Sequence, residues 1–202
     1  FRSGPSKAAL SPYGQIHAVL KDNYLKWLGP DDVFMSDAAL FHVTGLLAIY
    51  SSLFTGAAFV RYPRFSATEY WDRIRASGAT ATTLSRIEFL WKQPPRPGEG
   101  RTTLRWMLTG QLPPYTAEWR KRFGVESVFT FFNMSELCAP LQSPPNPENL
   151  RTVGKVRAGA EVRLVDAHDN EVSVGEVGEL LVRTDLPWEI STEYLNNPAA
   201  TA

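Results

Sequence analysis

The residue types best suited to chemistry in this chain follow an apolar, strand-like run and occupy the segment Phe132-Asn133-Met134-Ser135-Glu136. In open α/β sheets, ligands bind in the crevice outside the carboxyl ends of the strands. There the ring of Phe132 suits stacking on a flat base, the hydroxyl of Ser135 suits a phosphate oxygen, and the carboxylate of Glu136 suits a hard cation such as Mg²⁺. A strand that simply enters a loop has the same pattern, so a ligand site and a plain strand end both stay open at this point.

A second candidate group lies near the amino end, in Ser3-Gly4-Pro5-Ser6-Lys7. Hydroxyls, a glycine and an ammonium this close together are the ingredients of a loop that wraps phosphates with backbone N–H groups and neutralises them. A polar chain end with a lysine is also ordinary, and these residues by themselves do not distinguish the two.

His42 is the third candidate, and it lies in Phe41-His42-Val43-Thr44-Gly45 at a predicted strand-to-helix junction. One interpretation places it against an acyl chain or a phosphate, and the other makes it a buried, hydrogen-bonded structural histidine. The remaining histidines, His17 and His168, are expected to be solvated.

Other enzyme classes find no support in the sequence. The chain has three histidines and one cysteine, with neither C-x-x-C nor H-E-x-x-H spacing, which argues against catalytic zinc. It also has no G-x-S-x-G elbow of the kind that serine hydrolases carry. No histidine is placed by sequence to activate Cys138, so we do not expect a cysteine nucleophile.

Composition and charge describe a globular, electrically balanced protein. Of 202 residues, 44% are hydrophobic, which is enough to bury a core. The 21 Lys and Arg balance the 21 Asp and Glu, so no broad field attracts nucleic acid or an anionic membrane. The single cysteine excludes an internal disulfide and makes a reducing cytoplasm the expected location. Without a signal-peptide core or an initial Met, the sequence is expected to be an excerpt of a longer chain.

One uncharged stretch, 38–60, has the length of a membrane-spanning helix. Its hydroxyl-bearing residues lower the hydrophobicity, and Gly45 and Gly56 divide it. We therefore predict a buried helix followed by a strand, and no membrane span.

Apolar periodicity predicts alternating helices and strands as far as residue 132. Ser11 followed by Pro12 predicts a helix start, and Ser66-x-x-Glu69 predicts a capping box on a helix that Gly78 ends. The predicted helices are 11–28, 41–54, 66–77, 86–92 and 116–123, and the predicted strands are 33–36, 57–62, 79–84, 104–109 and 125–132. This order favours right-handed βαβ units, and hence an α/β fold with a mostly parallel sheet and flanking helices.

Beyond Pro140 the sequence becomes rich in proline and then mainly β in pattern. Segments 160–165 and 177–183 alternate apolar and polar residues on either side of the turn-rich 166–170, which predicts a hairpin or a small barrel. We therefore expect an α/β nucleotide- and acyl-binding subdomain over 1–145 and a small β-rich subdomain over 146–202.

Taken in order along the chain, these segments resemble the motifs of the adenylate-forming superfamily of acyl-CoA synthetases, peptide-synthetase adenylation domains and luciferases. Residues 3–7 look like its phosphate loop, 41–45 like its Phe-His-x-x-Gly segment, and 132–136 like its Tyr-Gly-x-Thr-Glu motif. Further matches follow in the family's order at 112–114, 123–124, 153–155, 161–166 and 175–180. Asn133 in place of glycine, together with the tail 183–188, is most similar to the crotonobetaine/carnitine-CoA ligase subgroup.

The resemblance implies a role for each candidate residue. The residues that would hold the β- and γ-phosphates of ATP are Ser3, Gly4, Ser6 and Lys7. The backbone around Gly110 and Gln111 would border the adenine, and Phe132 would stack on it; the further implied ATP-binding residues are Phe131, Asn133 and Met134. Ser135 would bind the α-phosphate and Glu136 the Mg²⁺, and the acyl pocket would be lined by His42, Val43 and Gly45. Lys7, Ser135 and Glu136 are the residues implied to act in catalysis. The implied reaction converts a small carboxylic acid and ATP to an acyl-adenylate and pyrophosphate, and then to a CoA thioester and AMP.

The sequence also departs from the family pattern. Between Gly4 and Pro5 it lacks about three residues that would supply backbone donors to phosphate, and it also looks short near Leu84 and Gly110. The family's ribose-binding Thr-Gly-Asp segment and its small C-terminal domain with the catalytic lysine are expected to be absent. These departures motivate the rival hypothesis of a non-catalytic or truncated scaffold that binds a nucleotide or an acyl ligand. The identity of the acid and the oligomeric state are left open by the sequence.

Overall fold

The computed structural model describes residues 7–85 and 87–201, apart from the side chains of residues 22 and 23. Its helices are α1 (Tyr13–Leu20), which a π-helical segment (Lys21–Leu25) follows, α2 (Val43–Thr55), α3 (Tyr70–Ser77), α4 (Glu88–Trp91), α5 (Thr116–Phe123) and α6 (Pro198–Thr201). Its strands are β1 (Ala9–Leu10), β2 (Val33–Ser36), β3 (Ala58–Arg61), β4 (Ala81–Leu84), β5 (Trp106–Thr109), β6 (Ser127–Phe132), β7 (Leu141–Gln142), β8 (Lys155–Val156), β9 (Ala160–Val165), β10 (Glu179–Thr184) and β11 (Glu193–Tyr194).

The chain divides into two compact units, which we name after their main β structure. The sheet unit comprises 20–132 and 142–155. The hairpin unit comprises the described residues of 1–19, 133–141 and 156–202.

A seven-stranded sheet with the order β3-β2-β4-β5-β6-β7-β8 forms the centre of the fold. Strands β2 to β6 are parallel, and pairs such as Phe34↔Ala81 and Met107↔Val128 fix their register. Strands β4 and β5 are buried along their whole length, as expected for central strands of a parallel sheet that is covered on both faces. The predicted α/β class with a mostly parallel sheet is confirmed.

Aromatic side chains of α3 and α5 fill the core of the sheet unit. The rings of Trp71 and Phe123 stack with centroids 4.5 Å apart, and Trp119 lies 4.9 Å from Phe123. Gly124 ends α5 at a φ of 68°, and a Cβ there would lie 2.2 Å from the carbonyl oxygen of Gly100. Only glycine combines this left-handed conformation with such a close approach, which explains why α5 stops where it does.

The capping box predicted at Ser66 is wrong. Helix α3 begins at Tyr70 with Glu69 at its N-cap, and the Ser66 hydroxyl instead lies 3.2 Å from that of Thr68. The Glu69 carboxylate accepts a hydrogen bond from Arg73 at 2.6 Å, one turn further along. Because Arg73 engages the carboxylate from the helix side, Glu69 does not reach back to the residue that the sequence pattern assigned to it.

Helix α2 is only half buried, which corrects the prediction of a buried helix. Leu47 and Ala48 are buried, whereas Leu46 and Leu53 are exposed. Strand β3 follows at Ala58, so the predicted division of this apolar stretch into a helix and a strand is confirmed. Across residues 7–85 and 87–201, no helix has the length and apolarity that a membrane crossing requires.

The Asp32 carboxylate links three segments of the sheet unit through hydrogen bonds, near the amino ends of the parallel strands. Its carboxylate accepts hydrogen bonds from the Thr80 hydroxyl (2.6 Å), the Arg105 guanidinium (2.5 Å) and the Gly29 backbone N–H (2.9 Å). Burial alone would raise the pKa of Asp32, but these bonds outweigh it and lower the pKa below the usual value. The stability that the carboxylate contributes is therefore present above the ordinary Asp range and is lost as the pH falls through the lowered pKa.

We expect Asp32→Asn to lower the free energy of unfolding by about 1–3 kcal/mol at neutral pH, because three donors lose an ionised acceptor. The difference from the parent protein should shrink as the pH falls through the Asp range. Urea unfolding at several pH values measures both effects, with the exposed neighbour Asp31→Asn as the control. A difference that stays constant with pH would contradict the assigned role.

The hairpin unit carries the antiparallel pair β9–β10, with six residue pairs from Glu179↔Val165 to Thr184↔Ala160. This confirms the predicted hairpin. A second, shorter pair joins β1 and β11.

A buried ion pair lies in the same unit. Arg157 and Glu189 are joined at 2.6 Å, and their side chains are only 6% and 9% exposed. The guanidinium also donates to the sulfur of Cys138 at 3.0 Å. Burial alone lowers the pKa of Arg157, but the bonds to Glu189 and Cys138 outweigh it and raise the pKa, so the cation persists.

Candidate functional site

The loop that carries Glu136 is closed on itself by short-range hydrogen bonds. The side-chain oxygen of Asn133 accepts from the backbone N–H of Ala139 at 2.9 Å, and a turn joins Leu137 N–H to the Met134 carbonyl at 3.2 Å. Within this loop Met134 and Ser135 are exposed and Glu136 is half-buried. The loop therefore presents a hydroxyl and a carboxylate side by side.

A buried glutamine holds the backbone of the same loop on both sides of Glu136. The amide nitrogen of Gln15, in α1, donates to the carbonyl oxygens of Ser135 and Leu137, both at 2.8 Å. A bond to each flanking residue fixes the direction in which the carboxylate leaves the backbone.

Strand β11 and a residue shortly before it contact Glu136, one through its side chain and the other through its backbone. The Ser191 backbone N–H donates to the Glu136 carbonyl at 3.0 Å, and the Tyr194 hydroxyl donates to the Glu136 carboxylate oxygen Oε1. The hydrogen bond to Glu136 raises the pKa of Tyr194, so its hydroxyl stays protonated and remains a donor.

Lys7 contacts the ring of the same tyrosine. Its Nζ lies 4.7 Å from the centroid of the Tyr194 ring, which is a cation–π distance. We call Lys7, Glu136 and Tyr194 the Glu136 cluster. The structure thus brings together two of the three residues predicted to be catalytic, while Ser135 is next to Glu136 in the chain. Ser3, Gly4 and Ser6 lie outside the described residues.

The chemistry of the cluster fits magnesium that is bound together with a phosphorylated ligand. Among residues 7–85 and 87–201, no group of three or more His, Cys, Asp and Glu side chains is placed to hold a metal by itself. Mg²⁺ usually keeps several waters and is bound through one or two carboxylates plus substrate phosphates. A single half-buried carboxylate such as Glu136 matches that mode of binding.

In the sheet unit, the predicted adenine-binding residues follow the carboxyl ends of neighbouring parallel strands. Gly110 and Gln111 come after β5 and are exposed, and Phe131 and Phe132 end β6 and are half-buried. The Thr130 hydroxyl donates to the Gly110 carbonyl at 2.5 Å. This bond fixes the end of β5 against β6, at the edge of the sheet where ligands bind in such folds.

His42, predicted either to contact a ligand or to be buried, is exposed and caps a helix. Its Nδ1 accepts from the Thr44 backbone N–H at 3.2 Å, at the N-cap of α2. The burial alternative is therefore wrong, because the residue stands at the solvent end of the helix. Val43 begins α2 and is half-buried, and a Cβ on the buried Gly45 would lie 2.4 Å from the Ala39 carbonyl, so this position must be glycine.

Tyr194 and Gln15 are parts of the site that no sequence motif indicated. Both act on Glu136 over long separations, 58 residues for Tyr194 and 120 residues between Gln15 and Ser135. Neither residue belongs to a local pattern that indicates a ligand, so only the folded chain reveals them.

Comparison with known protein families assigns the chain to one of them. The sequence profile of the family described as AMP-binding enzyme matches residues 4–195. The chain belongs to this family.

Individual relatives match the chain over most of its length. It is 28% identical to the crotonobetaine/carnitine–CoA ligase of Escherichia coli and 27% identical to that of Salmonella heidelberg, in each case over a 192-residue alignment that covers 89% of this chain and 36% of the relative. The chain thus spans little more than a third of the length of these relatives.

Solved structures share the fold. The O-succinylbenzoate coenzyme A synthetase of Bacillus subtilis in complex with AMP superposes with a TM-score of 0.79 at 22% identity, covering 98% of this chain and 41% of that protein. Apo MatB from Rhodopseudomonas palustris gives a TM-score of 0.79 at 22% identity over 100% of this chain and 41% of its own.

Proposed function

We propose that the protein is an AMP-forming ligase that activates a carboxylic acid with ATP and transfers the acyl group to coenzyme A. In the first step a carboxylate oxygen attacks the α-phosphorus, and pyrophosphate leaves with the broken bond's electron pair. In the second step the thiol of coenzyme A attacks the acyl carbon, the thiol proton is lost, and AMP leaves with the original carboxylate oxygen.

The Glu136 cluster is the observation that carries this proposal. It holds one carboxylate and one ammonium on a single tyrosine, in a family whose members bind AMP. Attack of one anion on another requires that the charge on the phosphates be neutralised. Glu136 would hold a magnesium ion, which would supply part of that neutralisation, and the ammonium of Lys7 would add a second positive charge.

The other candidate residues have supporting roles in the proposal. The exposed hydroxyl of Ser135 contacts the α-phosphate next to the metal site. The half-buried ring of Phe132 offers a flat surface for stacking on adenine. The other ATP-binding residues of the proposal are Gly110, Gln111, Phe131, Asn133 and Met134. His42, Val43 and Gly45, at the start of α2, line the pocket for the acyl group.

The relatives suggest which acids to test first. Because the chain is 28% identical to crotonobetaine/carnitine–CoA ligase, the panel of acids to be tested begins with crotonobetaine and carnitine. Unsubstituted short-chain acids follow. A methylene more or less in an apolar pocket changes preference by only about 1–3 kcal/mol, so the panel has to be broad. The buried free thiol of Cys138 is consistent with a reducing cytoplasm as the place of action.

Exchange of labelled pyrophosphate into ATP tests the first step without coenzyme A. For the full-length protein containing these residues, we expect exchange that requires both Mg²⁺ and one acid of the panel, and that stops on chelation of the metal. Calorimetric titration with Mg-ATP runs in parallel. Binding of ATP without exchange for any acid would instead support a nucleotide-binding scaffold and contradict the ligase.

A further inference from the structure

We propose that Tyr194 is a positioning residue, which orients the Glu136 carboxylate for Mg²⁺ and at the same time keeps it apart from the ammonium of Lys7. The inference rests on the proposed function, since it concerns how the same site holds its charges. Three features of the hairpin unit support it.

The first feature is the fixed place of Tyr194 itself. In the β1–β11 pair Tyr194 is opposite Ala9, and the backbone N–H of Leu195 donates to the Ala8 carbonyl at 2.8 Å. Its own backbone N–H donates to the Thr201 hydroxyl at 3.0 Å. Strand β11 is therefore held next to the residues that follow Lys7. The backbone position from which the Tyr194 side chain extends is fixed by these bonds.

The second feature is how the hydroxyl uses the carboxylate. Among residues 7–85 and 87–201, Tyr194 is the one side chain that hydrogen-bonds the Glu136 carboxylate, and it does so at Oε1. A hydrogen bond to an ionised acceptor is stronger than a neutral one. Occupation of Oε1 fixes the rotation of the carboxylate and leaves Oε2 for a metal, in the way that outer-shell partners orient metal ligands.

The third feature is that two opposite charges contact the same tyrosine without pairing with each other. Lys7 Nζ contacts the ring face and Glu136 contacts the hydroxyl, and within the described part of the chain these two residues form no salt bridge with each other. A direct ion pair would neutralise both groups and leave neither for phosphate or metal. Tyr194 instead gives each charge one contact, a cation–π contact for Lys7 and a single hydrogen bond for Glu136, so both stay available.

Two substitutions separate these roles. Tyr194→Phe keeps the ring that Lys7 contacts and removes only the hydroxyl, whereas Tyr194→Ala removes both. Tyr50→Phe, on the exposed side of α2, removes a tyrosine hydroxyl elsewhere and serves as the matched control. Pyrophosphate exchange in the full-length protein is measured against free Mg²⁺ at saturating ATP and against ATP at saturating Mg²⁺.

We expect Tyr194→Phe to raise the half-saturating Mg²⁺ concentration about tenfold, as is usual when a metal ligand loses its outer-shell partner. Its maximal rate at saturating Mg²⁺ and its KM for ATP should stay close to those of the parent. Tyr194→Ala should raise the KM for ATP as well, because Lys7 and Glu136 then pair with each other. Tyr50→Phe should match the parent in all three quantities.

The outcomes distinguish this inference from the function on which it rests. An active parent whose half-saturating Mg²⁺ is unchanged in Tyr194→Phe would overturn the positioning role and leave the ligase intact. A lower maximal rate and lower thermal stability, with unchanged half-saturating Mg²⁺, would show that Tyr194 is merely structural and would also overturn it. A parent without exchange for any acid would overturn both.

Discussion

Glu136→Gln is expected to lower the maximal rate of pyrophosphate exchange by about 10²–10³-fold, the usual effect of removing one preorganised electrostatic group from a transition state. Glutamine keeps the size of the side chain and an oxygen that accepts from Tyr194, so the loop should stay in place. What it removes is the negative charge that attracts Mg²⁺. Added Mg²⁺ should not restore the rate, in contrast to the behaviour expected of Tyr194→Phe.

The control for this substitution is Glu193→Gln. Glu193 is exposed and precedes Tyr194 in β11, so the same charge is removed a short way along the chain from the cluster. We expect it to match the parent protein in rate and in Mg²⁺ dependence. Equal losses in both variants would mean that net charge, and not the Glu136 carboxylate, controls the reaction.

Arg157→Met is expected to lower the free energy of unfolding of the hairpin unit by about 3–5 kcal/mol, because it leaves the carboxylate of Glu189 buried without its partner. The same guanidinium donates to the carbonyl oxygen of Cys138 at 3.3 Å, and the Arg157 backbone N–H donates to the carbonyl of Pro140 at 2.9 Å. Arg157 therefore also holds the chain that follows Glu136. Unfolding in urea, followed by near-ultraviolet circular dichroism, measures the loss.

Two further variants test this explanation. In Arg157→Met/Glu189→Met both charges are gone, and most of the lost stability should return, since an apolar pair replaces a buried ion pair at little cost. Arg183→Met breaks an exposed pair of the same unit, with Glu161 at 2.5 Å, and should cost less than about 1 kcal/mol. A double variant no more stable than Arg157→Met would contradict the role assigned to the buried charge.

Much of the α/β architecture was predictable, because local periodicity determines it. The predicted limits of β2, α5 and β9 agree with the structure, since each is a short run bounded by clear turn or capping residues. The start of α3 was predicted wrongly at Ser66. The predicted capping box required the Glu69 carboxylate, which instead accepts a hydrogen bond from Arg73. The strands β1 and β11 have two residues each and are defined by their pairing with each other. Two residues are too few to show an alternation of apolar and polar residues, so the sequence does not predict these strands.

The candidate site was likewise predictable only where its residues belong to a local sequence motif. Glu136 and Lys7 were found because each lies in a local motif. Tyr194 and Gln15 were not, because their importance arises from contacts with residues far away in the sequence. A hydroxyl and an amide that fix a carboxylate leave no spacing pattern, since the fold, and not the local sequence, brings them together.

The central claim, that this protein transfers AMP to a carboxylate, is tested most directly by the fate of the carboxylate oxygen. The accepted acid is labelled with oxygen-18 in its carboxylate, turned over with ATP, Mg²⁺ and coenzyme A, and the phosphorus products are analysed by mass spectrometry. We expect one labelled oxygen in each AMP and none in pyrophosphate. Label in orthophosphate with formation of ADP, or thioester formation without labelled AMP, would contradict it.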